Sequence, residues 1–599
     1  MDFIVLTSLL SSLKAEAWIT LAILIVMFIL LLKTKIPSEF VYFGTMASFY
    51  ITGALSEKET FSSFSTIAVV TVGVLYVVMA GLIHTGVLNW VIDKTLGKPR
   101  QYSSALFRMM VPAALCSAII FNSVVTTVFM KKIKAWARSL NLAPSKMLLP
   151  LSYAAGLGGV CTIIGTPPNI LLSSMVRHDL SVQMDFFAPF IPGICCAGAG
   201  ILVLILFRRL LPDRRTPQEI FEEAHEYTVE FLVPDDSYLV GRTVEETKLL
   251  IVEGGRLAEI VRDGKKVICP VQPDETIEQG DRLIYAGRAD ELMQLRKTHE
   301  LAMAEPVFSV KEPTMKRLFY TASLQHDSLL AGYSMSNCDF ESNHNVTLLA
   351  VVREGELIDE NPYKVKLGFQ DVLLFEGNPD RKGVLEKTAA KDLIFVDSIY
   401  SPKYGVRTLV SFLIVMAMIL LQHLGVMTLL QSAMLAAIAM MATYCCTTTQ
   451  AWHAINWNTI MVFASSIAIA VAVQHSGISY VIAKEIVTIS GWNPIAAIVC
   501  ICVLASITTE FITDTAVAAI FYPIALTTAL LLGQDAVPFI IALMIAVSTS
   551  FATPIGAPSN RLVYSEGGYH PYDYLAVGIL MKLVILVVSI TVISLLYDL

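Results

Sequence analysis

Long apolar stretches are the feature that most constrains the fold of this chain. Residues 17–32 read AWITLAILIVMFILLL and residues 583–596 read LVILVVSITVISLL. Similar runs lie at 408–421 and within 187–207. With their flanks, several of these runs approach the ~20 apolar residues that a helix needs to cross a bilayer. Only 16% of the residues are charged, compared with about 25% in soluble domains. The sequence therefore predicts a polytopic α-helical membrane protein.

Composition and motifs argue against several other classes of protein. The ten cysteines are scattered without metal-ligand spacing, so we expect buried apolar side chains rather than a metal centre. No basic run suggests nucleic acid as a partner. Neither a nucleophile–base pair nor a Gly-rich phosphate loop points to an enzyme or a bound cofactor. The lipid membrane is the expected surrounding.

A charged, strand-like block interrupts the apolar sequence between about 210 and 403, and it repeats internally. LVGRTV at 239–244 matches LAGYSM at 330–335, and LAEIVRDG at 257–264 matches LLAVVREG at 348–355. These alternating segments around turns predict two β-rich modules. The expected domains are membrane repeat 1 (1–210), two modules (211–303 and 304–402) and membrane repeat 2 (403–599).

The two apolar halves also resemble each other. The phrase GTPPN at 165–169 returns as GAPSN at 556–560, an offset of 391 residues. His84-Thr85-Gly86 returns as His475-Ser476-Gly477 at the same offset, and FNSVVTT at 121–127 aligns with TDTAVAA at 513–519. With FSTI at 64–67, which resembles WNTI at 457–460, these are four landmarks at nearly constant spacing, and they predict an internal duplication. The spans near 66–91 and 458–482 correspond in this alignment.

Basic residues near the apolar segments predict how the halves are oriented. They cluster on both flanks of the segment 109–130, and such residues favour the cytoplasm. The basic residues on these flanks are Lys94, Lys98, Arg100, Arg108, Lys131, Lys132, Lys134 and Arg138. If both flanks lie on one side of the membrane, the segment between them is a re-entrant hairpin with FNSVVTT at its tip. The N-terminus is then outside and the polar block is cytoplasmic. The second half starts on the opposite face, so the sequence predicts inverted repeats, each with a re-entrant hairpin and a broken helix, as in secondary transporters.

The repeated Gly/Pro phrase cannot continue a helix, because Pro167 and Pro168 lack N–H donors and Gly165 loosens the backbone. Non-helical chain survives at membrane depth only where it lines a cavity. Freed carbonyls can hold a cation, and helix N-termini can face an anion. Two copies at matching positions favour a binding site over a structural kink.

The expected hairpin tips carry polar side chains at a membrane depth where contact with lipid would be unfavourable. Hydroxyls and amides there can ligate Na⁺ or an oxyanion, although hydroxyls also join helices; they are Ser117, Asn122, Ser123, Thr126, Thr127, Thr508, Thr509, Thr513 and Thr515. Asp514 is ionisable at membrane depth, which indicates function. Glu510 lies four residues earlier, and on a helical hairpin arm the two carboxylates would share a face. Such a pair suits proton or cation binding, so Asp514 and Glu510 are the expected proton sites. Lys582, inside the last span, is expected to snorkel to the cytosolic surface.

These paired loops and tips resemble the divalent-anion/sodium symporter (citrate/sulfate-type) family of the ion-transporter superfamily. The central block resembles two TrkA-C (RCK-type) domains, which imply a regulatory role and a nucleotide as ligand. The family's fold implies a homodimer with an elevator mechanism, with Na⁺ or H⁺ as the coupling ion. The alternative role of the central block is a dimerisation scaffold.

Matching the family's motifs onto this chain gives two sets of binding residues. The resemblance implies that substrate is held by Asn122, Ser123, Val124, Thr166, Pro167, Thr513, Asp514, Thr515, Ala557 and Pro558. It implies that cations are held by Ser117, Asn122, Gly165, Asn169, Thr509, Asp514, Gly556 and Asn560. This chain departs from the family where Phe121 replaces a hydroxyl and Asp514 replaces an amide.

The function expected from these residues is secondary transport of a small anion, coupled to Na⁺ or H⁺, across the cell membrane. Members with TrkA-C insertions resemble sulfate transporters, so sulfate or a related oxyanion or dicarboxylate is the expected substrate. Asp514 also suits a sodium/proton antiporter, or an amino-acid transporter in which it pairs with an amine. A ligand-gated ion channel is the remaining alternative, although TVGVLY at 71–76 only superficially resembles a potassium filter.

Overall fold

The computed structural model describes most of the two apolar halves and parts of the central block. The described residues are 15–34, 36–140, 142–214, 228–252, 255–262, 266–268, 271–287, 301–303, 318–324, 328, 330–335, 346–353, 356–358, 362, 365–368, 371–377, 393–395 and 404–599. The chain divides into two compact units. The membrane unit comprises Met1–Pro212, Tyr400–Val563 and Pro571–Leu599, and the polar unit comprises Asp213–Ile399 and Tyr564–His570.

The first half of the membrane unit is helical. Its α-helices are α1 (Ala15–Lys33), α2 (Ser38–Ile51), α3 (Glu57–Ser62), α4 (Ile67–Thr85), α5 (Val87–Thr95), α6 (Tyr102–Ser117), α7 (Asn122–Ser139), α8 (Ser145–Gly159), α9 (Pro167–Leu180) and α10 (Phe190–Leu206). Short 3₁₀ turns lie at Ser63–Ser65 and Arg208–Leu210.

In the polar unit the described residues form two antiparallel sheets and a short helix, α11 (Val244–Thr247). The first sheet contains β1 (Thr228–Leu232), β2 (Ile251–Val252), β3 (Gly255–Arg262), β4 (Lys266–Ile268), β5 (Arg282–Gly287) and β6 (Ala302–Met303). The second contains β7 (Leu318–Leu324), β8 (Val346–Arg353), β9 (Glu356–Leu357), β10 (Val372–Gly377) and β11 (Leu393–Phe395).

The two sheets share one topology. The order β3-β5-β1-β6 in the first corresponds to β8-β10-β7-β11 in the second. An ion pair to a buried aspartate recurs as well: Arg262 binds Asp281, and Arg353 binds Asp371, each through two N–H donors. The hydrogen bonds that the Arg262 guanidinium donates to Asp281 raise its pKa. The strands predicted from LAEIVRDG and LLAVVREG are therefore equivalent elements of the two sheets.

The second half of the membrane unit is helical too. Its helices are α12 (Val406–His423), α13 (Leu429–Ala442), α14 (Thr448–Ala454), α15 (Trp457–His475), α16 (Ile478–Ile489), α17 (Pro494–Thr508), α18 (Asp514–Leu532), α19 (Ala536–Ser548), α20 (Pro558–Gly567) and α21 (Pro571–Tyr597). Within the described part of the chain, five stretches are long and apolar enough to cross a membrane: Glu57–Thr85, Val406–His423, Trp457–His475, Asp514–Leu532 and Pro571–Tyr597. The expectation of a mostly helical chain with several apolar helices is confirmed.

Local sequence explains why helix ends recur in the two halves. Ser56 and Glu59 form a capping box that starts α3, and Thr447 and Gln450 form one that starts α14. Gly86 ends α4 in the left-handed conformation, at φ 77°, and Gly477 separates α15 from α16 at φ 75°. Glycine adopts this conformation without strain. The spans expected near 66–91 and 458–482 are present as α4 and α15, but each ends before its glycine, so their expected ends at 91 and 482 are wrong.

The broken helices lie where the repeated phrases predict them. Regular helix stops at Gly159 and resumes at Pro167, and it stops again at Ser548 and resumes at Pro558. Proline is favoured at the first position of a helix, where no N–H is needed. Residues 160–166 are buried throughout, and the segment 549–557 is mostly buried. We call these segments the first and second broken loops.

Helical hairpins precede both broken loops, but their turns differ from expectation. The first turn comprises residues 118–121 between α6 and α7, and the second comprises residues 509–513 between α17 and α18. FNSVVTT therefore mostly forms the start of α7 rather than the tip. Glu510 lies in the turn whereas Asp514 begins α18, so the expected helical face shared by the two carboxylates is wrong.

Candidate functional site

The first broken loop is fastened to the first hairpin turn by Thr162. Its Oγ1 donates to the carbonyl of Ala118 and accepts from the N–H of Gly165 at 3.2 Å. The amide of Asn169 donates to the carbonyl of Thr162 at 2.9 Å and closes the loop. We call this arrangement, with the neighbouring start of α7 at Asn122, the first half-site.

The second broken loop repeats all three bonds. Thr553 Oγ1 donates to the carbonyl of Glu510 at 2.9 Å and accepts from the N–H of Gly556 at 3.3 Å. The amide of Asn560 donates to the carbonyl of Thr553 at 3.1 Å and also to that of Ser550 at 2.8 Å. With the start of α18 at Asp514, these groups form the second half-site. The Gly/Pro phrase recurs because one loop is built twice.

Both loop glycines are required by close packing. A Cβ on Gly165 would collide with the backbone of Gly159, and a Cβ on Gly556 would collide with Ser550 Oγ and the carbonyl of Thr509. Neither glycine has a positive φ, so the constraint is space rather than backbone conformation. The loops pass so near their neighbours that only hydrogen fits.

Asn169 and Asn560 also connect the two halves of the chain. Ser548 Oγ donates to Asn169 Oδ1 at 3.4 Å and lies 3.1 Å from Thr166 Oγ1. Ser152 Oγ donates to Asn560 Oδ1 at 2.7 Å. Each asparagine thus closes its own loop and binds a serine of the other half. Their predicted role as cation ligands stays a prediction.

A tyrosine adds a further bond between the halves. The hydroxyl of Tyr153, on α8, donates to the carbonyl of Phe551 in the second broken loop at 2.6 Å. The two rings pack with centroids 4.6 Å apart. The two broken loops are consequently held to one another through α8 and α19.

The hairpin ends place Asn122 and Asp514 in equivalent positions, as the sequence alignment predicts. Asn122 Oδ1 accepts from the N–H of Ser123 and Asp514 Oδ1 from that of Thr515, each at 2.8 Å. Each side chain therefore satisfies an N–H in the first turn of its helix. Both are buried. The change from amide to carboxylate is a real difference between equivalent sites.

The residues before these two positions differ in their surroundings. Phe121 is buried against Tyr76, with ring centroids 5.2 Å apart. Thr513 instead donates from Oγ1 to the hydroxyl of Tyr42 at 3.0 Å. The hydroxyl that the resemblance implies at this position is therefore present only in the second half, where it binds α2.

Buried hydroxyls are satisfied differently in the two half-sites. Among the described residues, Ser117 Oγ and Thr126 Oγ1 are buried without a hydrogen-bond partner. Thr509, which corresponds to Ser117, donates from Oγ1 to the carbonyl of Ser506 at 3.0 Å. A buried oxygen without a partner is costly and calls for a ligand. The first half-site has this property at Ser117, a predicted cation ligand.

Two basic residues near the second half-site are absent from the predicted binding residues. Lys582, on α21, forms an ion pair with Glu510 and donates to the carbonyl of Ser506; its expected snorkelling to the surface is wrong. Arg561, directly after the GAPSN phrase, interacts electrostatically with Asp514. A charge adjoining a repeated motif could have drawn attention to Arg561, whereas the Lys582 contact depends on tertiary packing.

Packing also brings the two half-sites near one another. Helix α9, which follows the first broken loop, packs against α18, which begins at Asp514. Among the described residues no group of three or more His, Cys, Asp or Glu side chains could hold a metal ion. Hydroxyls, amides, backbone carbonyls and the carboxylates of Asp514 and Glu510 are the groups at the two half-sites that could bind small ions.

Comparison with known proteins gives the family. The family model described as "CitMHS: Citrate transporter" matches residues 26–432 and 407–598. The chain belongs to this family, which confirms the expected kinship with divalent-anion/sodium symporters, and it is an integral membrane protein.

Several relatives resemble the chain over much of its length. A "Putative sulfur deprivation response regulator" of Chlamydomonas reinhardtii is 26% identical, over 95% of this chain and 100% of the relative. A "Probable sodium/sulfate cotransporter 3" of the same organism is 23% identical, over 88% of this chain and 82% of the relative. The "Uncharacterized transporter YfbS" of Escherichia coli is 25% identical, over 97% and 99%. The solved YdaH transporter of Alcanivorax borkumensis aligns over 97% of each chain with 11% identity and a TM-score of 0.44.

Proposed function

We propose that this protein is a cation-coupled secondary transporter of a small oxyanion, with sulfate as the first candidate substrate. The observation that carries the proposal is the repeated half-site: one three-bond loop, built twice, beside a hairpin turn among buried apolar helices. Non-helical backbone of this kind belongs around the midplane binding sites of secondary transporters. The names of the sodium/sulfate cotransporter relatives support sulfate.

The anion site is formed in this proposal by helix N-termini from both halves. Helices α7, α9, α18 and α20 all begin at the half-sites, and a helix N-terminus attracts negative charge. Arg561 supplies a full positive charge on α20. It also offsets the carboxylate of Asp514, which would otherwise repel a dianion. Sodium or a proton is the coupling ion, bound at the hairpin turns and broken loops.

The wider mechanism follows the family resemblance. The two halves act as inverted repeats, and the transporting part moves like an elevator within a homodimer. The polar unit is cytoplasmic and regulates transport as two TrkA-C modules. Nucleotide titration of the purified full-length protein, followed by calorimetry, tests the regulatory role. Absence of binding across a nucleotide panel would favour a dimerisation scaffold.

Sulfate uptake into proteoliposomes under an imposed sodium or proton gradient tests the function. We compare the wild type with Asp514→Asn, which makes the second hairpin resemble the first. Loss of the carboxylate removes charge-assisted bonding to a cation or proton, so gradient-driven uptake should fall at least ~tenfold. Asp535→Asn makes the same change at an exposed aspartate just after α18 and is the matched control.

The outcome separates the two coupling ions. If sodium drives uptake and Asp514→Asn raises the sodium requirement, Asp514 is a sodium ligand. If a proton gradient drives uptake and the variant exchanges sulfate without it, Asp514 carries the proton. If neither gradient drives sulfate or succinate uptake, the anion proposal fails. The carboxylate at Asp514 then favours the amino-acid transporter or the sodium/proton antiporter.

A further inference from the structure

The second half-site contains a positive charge of its own. We propose that the Lys582 ammonium is a resident cation that takes the place of a mobile coupling ion in the second half-site. The first half-site, which lacks such a group, then binds the mobile cation. This inference rests on the proposed function and refines its coupling stoichiometry.

The ammonium has the oxygen ligands that a small cation would have. Lys582 Nζ contacts the carboxylate of Glu510 and donates a hydrogen bond to the carbonyl of Ser506. Ser506 lies in the last turn of α17, where free carbonyls and the helix dipole favour positive charge. In transporters of this kind, such helix ends and unwound carbonyls coordinate sodium.

The pair is buried and is therefore more than a surface contact. Only 15% of the Lys582 side chain and 8% of the Glu510 side chain are exposed. Removing one partner of a buried pair leaves a charge without compensation. A cation of some kind is thus required at Glu510 whenever that carboxylate is ionised.

Glu510 connects the Lys582 ammonium to the second broken loop. Its Oε1 also accepts from the N–H of Ala552 at 3.3 Å, and its carbonyl accepts from Thr553 Oγ1 at 2.9 Å. The same residue therefore binds the ammonium and holds the loop in place. In sodium-coupled sites a bound ion performs this organising role; here a side chain performs it.

The first half-site has no equivalent of this pair. At the corresponding offset, Ala118 and Ile191 stand where Glu510 and Lys582 would be. Ser117 Oγ has no partner among the described residues, whereas Thr509 Oγ1 is bonded. The first half-site thus presents an unused oxygen and no resident charge, which is the condition for taking up a mobile ion.

One oxygen of the pair shows where an ion would enter if Lys582 were removed. Glu510 Oε2 is buried and has no hydrogen-bond partner among the described residues. Truncating Lys582 would remove the ammonium from the Glu510 carboxylate and the Ser506 carbonyl, whose remaining lone pairs could then hold a sodium ion. The variant should consequently recruit a cation that the wild type does not need.

Counting the charge moved per sulfate tests the inference. Reversal potentials of sulfate flux are measured in proteoliposomes with sodium and with proton gradients, for wild type, Lys582→Ala and Glu510→Gln/Lys582→Met. We expect Lys582→Ala to transport one further positive charge per sulfate and to need roughly tenfold more cation for half-maximal rate. The double variant lacks the Glu510 carboxylate, so it should transport sulfate more slowly but with the same charge per sulfate as the wild type. Lys484→Met removes an exposed lysine and is the matched control.

The remaining outcomes would overturn the inference. An unchanged charge per sulfate in Lys582→Ala means that the ammonium does not replace an ion. Loss of transport in Lys582→Ala at every cation concentration, with transport kept in the double variant, means that the pair only balances a buried charge. If the charge moved per sulfate is the same in all variants, this inference fails while the proposed function is unaffected.

A measurement without substrate separates this inference from the proposed function. Thermal unfolding in detergent is followed against sodium chloride, with choline chloride as the control for ionic strength. Because a ligand that binds the folded state raises its Tm, Lys582→Ala should gain a sodium-dependent rise in Tm beyond that of the wild type. Equal sodium dependence in the two proteins would contradict the inference, whether or not sulfate is transported.

Discussion

The two half-sites share their backbone and differ in their charge. Each has a threonine that joins a hairpin turn to a loop glycine, and an asparagine that closes the loop. The first half-site is uncharged, with unused hydroxyls at Ser117 and Thr126. The second has its corresponding hydroxyl bonded and holds Asp514, Glu510 and Lys582. The two half-sites thus share a scaffold and differ in the side chains that are proposed to meet an ion.

The largest effect should come from the shared scaffold. Gly556→Ala and Gly165→Ala each place a methyl group against packed backbone, which should cost about 3 kcal/mol of the free energy of unfolding and abolish uptake. Gly198→Ala is the control, because its Cβ would meet nothing within 4 Å. Thermal unfolding and sulfate uptake measure the effect. A scaffold common to both half-sites would be contradicted if only one of the two loop variants behaved worse than the control.

A smaller effect distinguishes the asparagines. Asn560→Ala loses two bonds to carbonyls and one from Ser152, whereas Asn169→Ala loses one bond to a carbonyl and a longer one from Ser548. At about 1 kcal/mol for each bond, we expect ~3 kcal/mol for Asn560→Ala and ~1–2 kcal/mol for Asn169→Ala. Unfolding of the purified protein in detergent measures both. Equal losses would show that the second loop gains nothing from its additional bonds.

The smallest effect on stability concerns the hydroxyls. Thr509→Val should cost about 1 kcal/mol, because Oγ1 has a bond to lose, whereas Ser117→Ala should cost about 0 kcal/mol. The same Ser117→Ala should nevertheless raise the sodium concentration needed for half-maximal uptake. If Ser117→Ala leaves the sodium dependence unchanged, its unused oxygen is not a cation ligand.

The sequence predicts the broken helices and hairpins because these depend on local chemistry. Proline and glycine stop a helix wherever they occur, so the phrases at 165–169 and 556–560 locate both loops. The exact turns are less predictable: Asn122 was expected at a tip and begins a helix. Thr162 and Thr553 recur at the same offset as the glycines, and that repetition could have added them to the candidate site.

The remaining parts of the site depend on contacts between distant segments. Lys582 bonds to a carbonyl 76 residues away, and Tyr153 to one nearly 400 residues away. An apolar span around a lysine says nothing about its partner, so snorkelling is the natural expectation. Pairing with Glu510 is decided only when α21 packs beside the second hairpin, and no local pattern contains that information.

The bonds between the two broken loops have a consequence for the transport cycle. Asn169 with Ser548, Asn560 with Ser152, and Tyr153 with Phe551 link the loops through buried contacts. One loop cannot shift by an ångström without breaking bonds to the other. In the proposed transport cycle, the ion and the substrate would then become accessible to water in one step on one side of the membrane. They would be released together on the other side. Release of the ion or of the substrate alone would require breaking these bonds between the two loops.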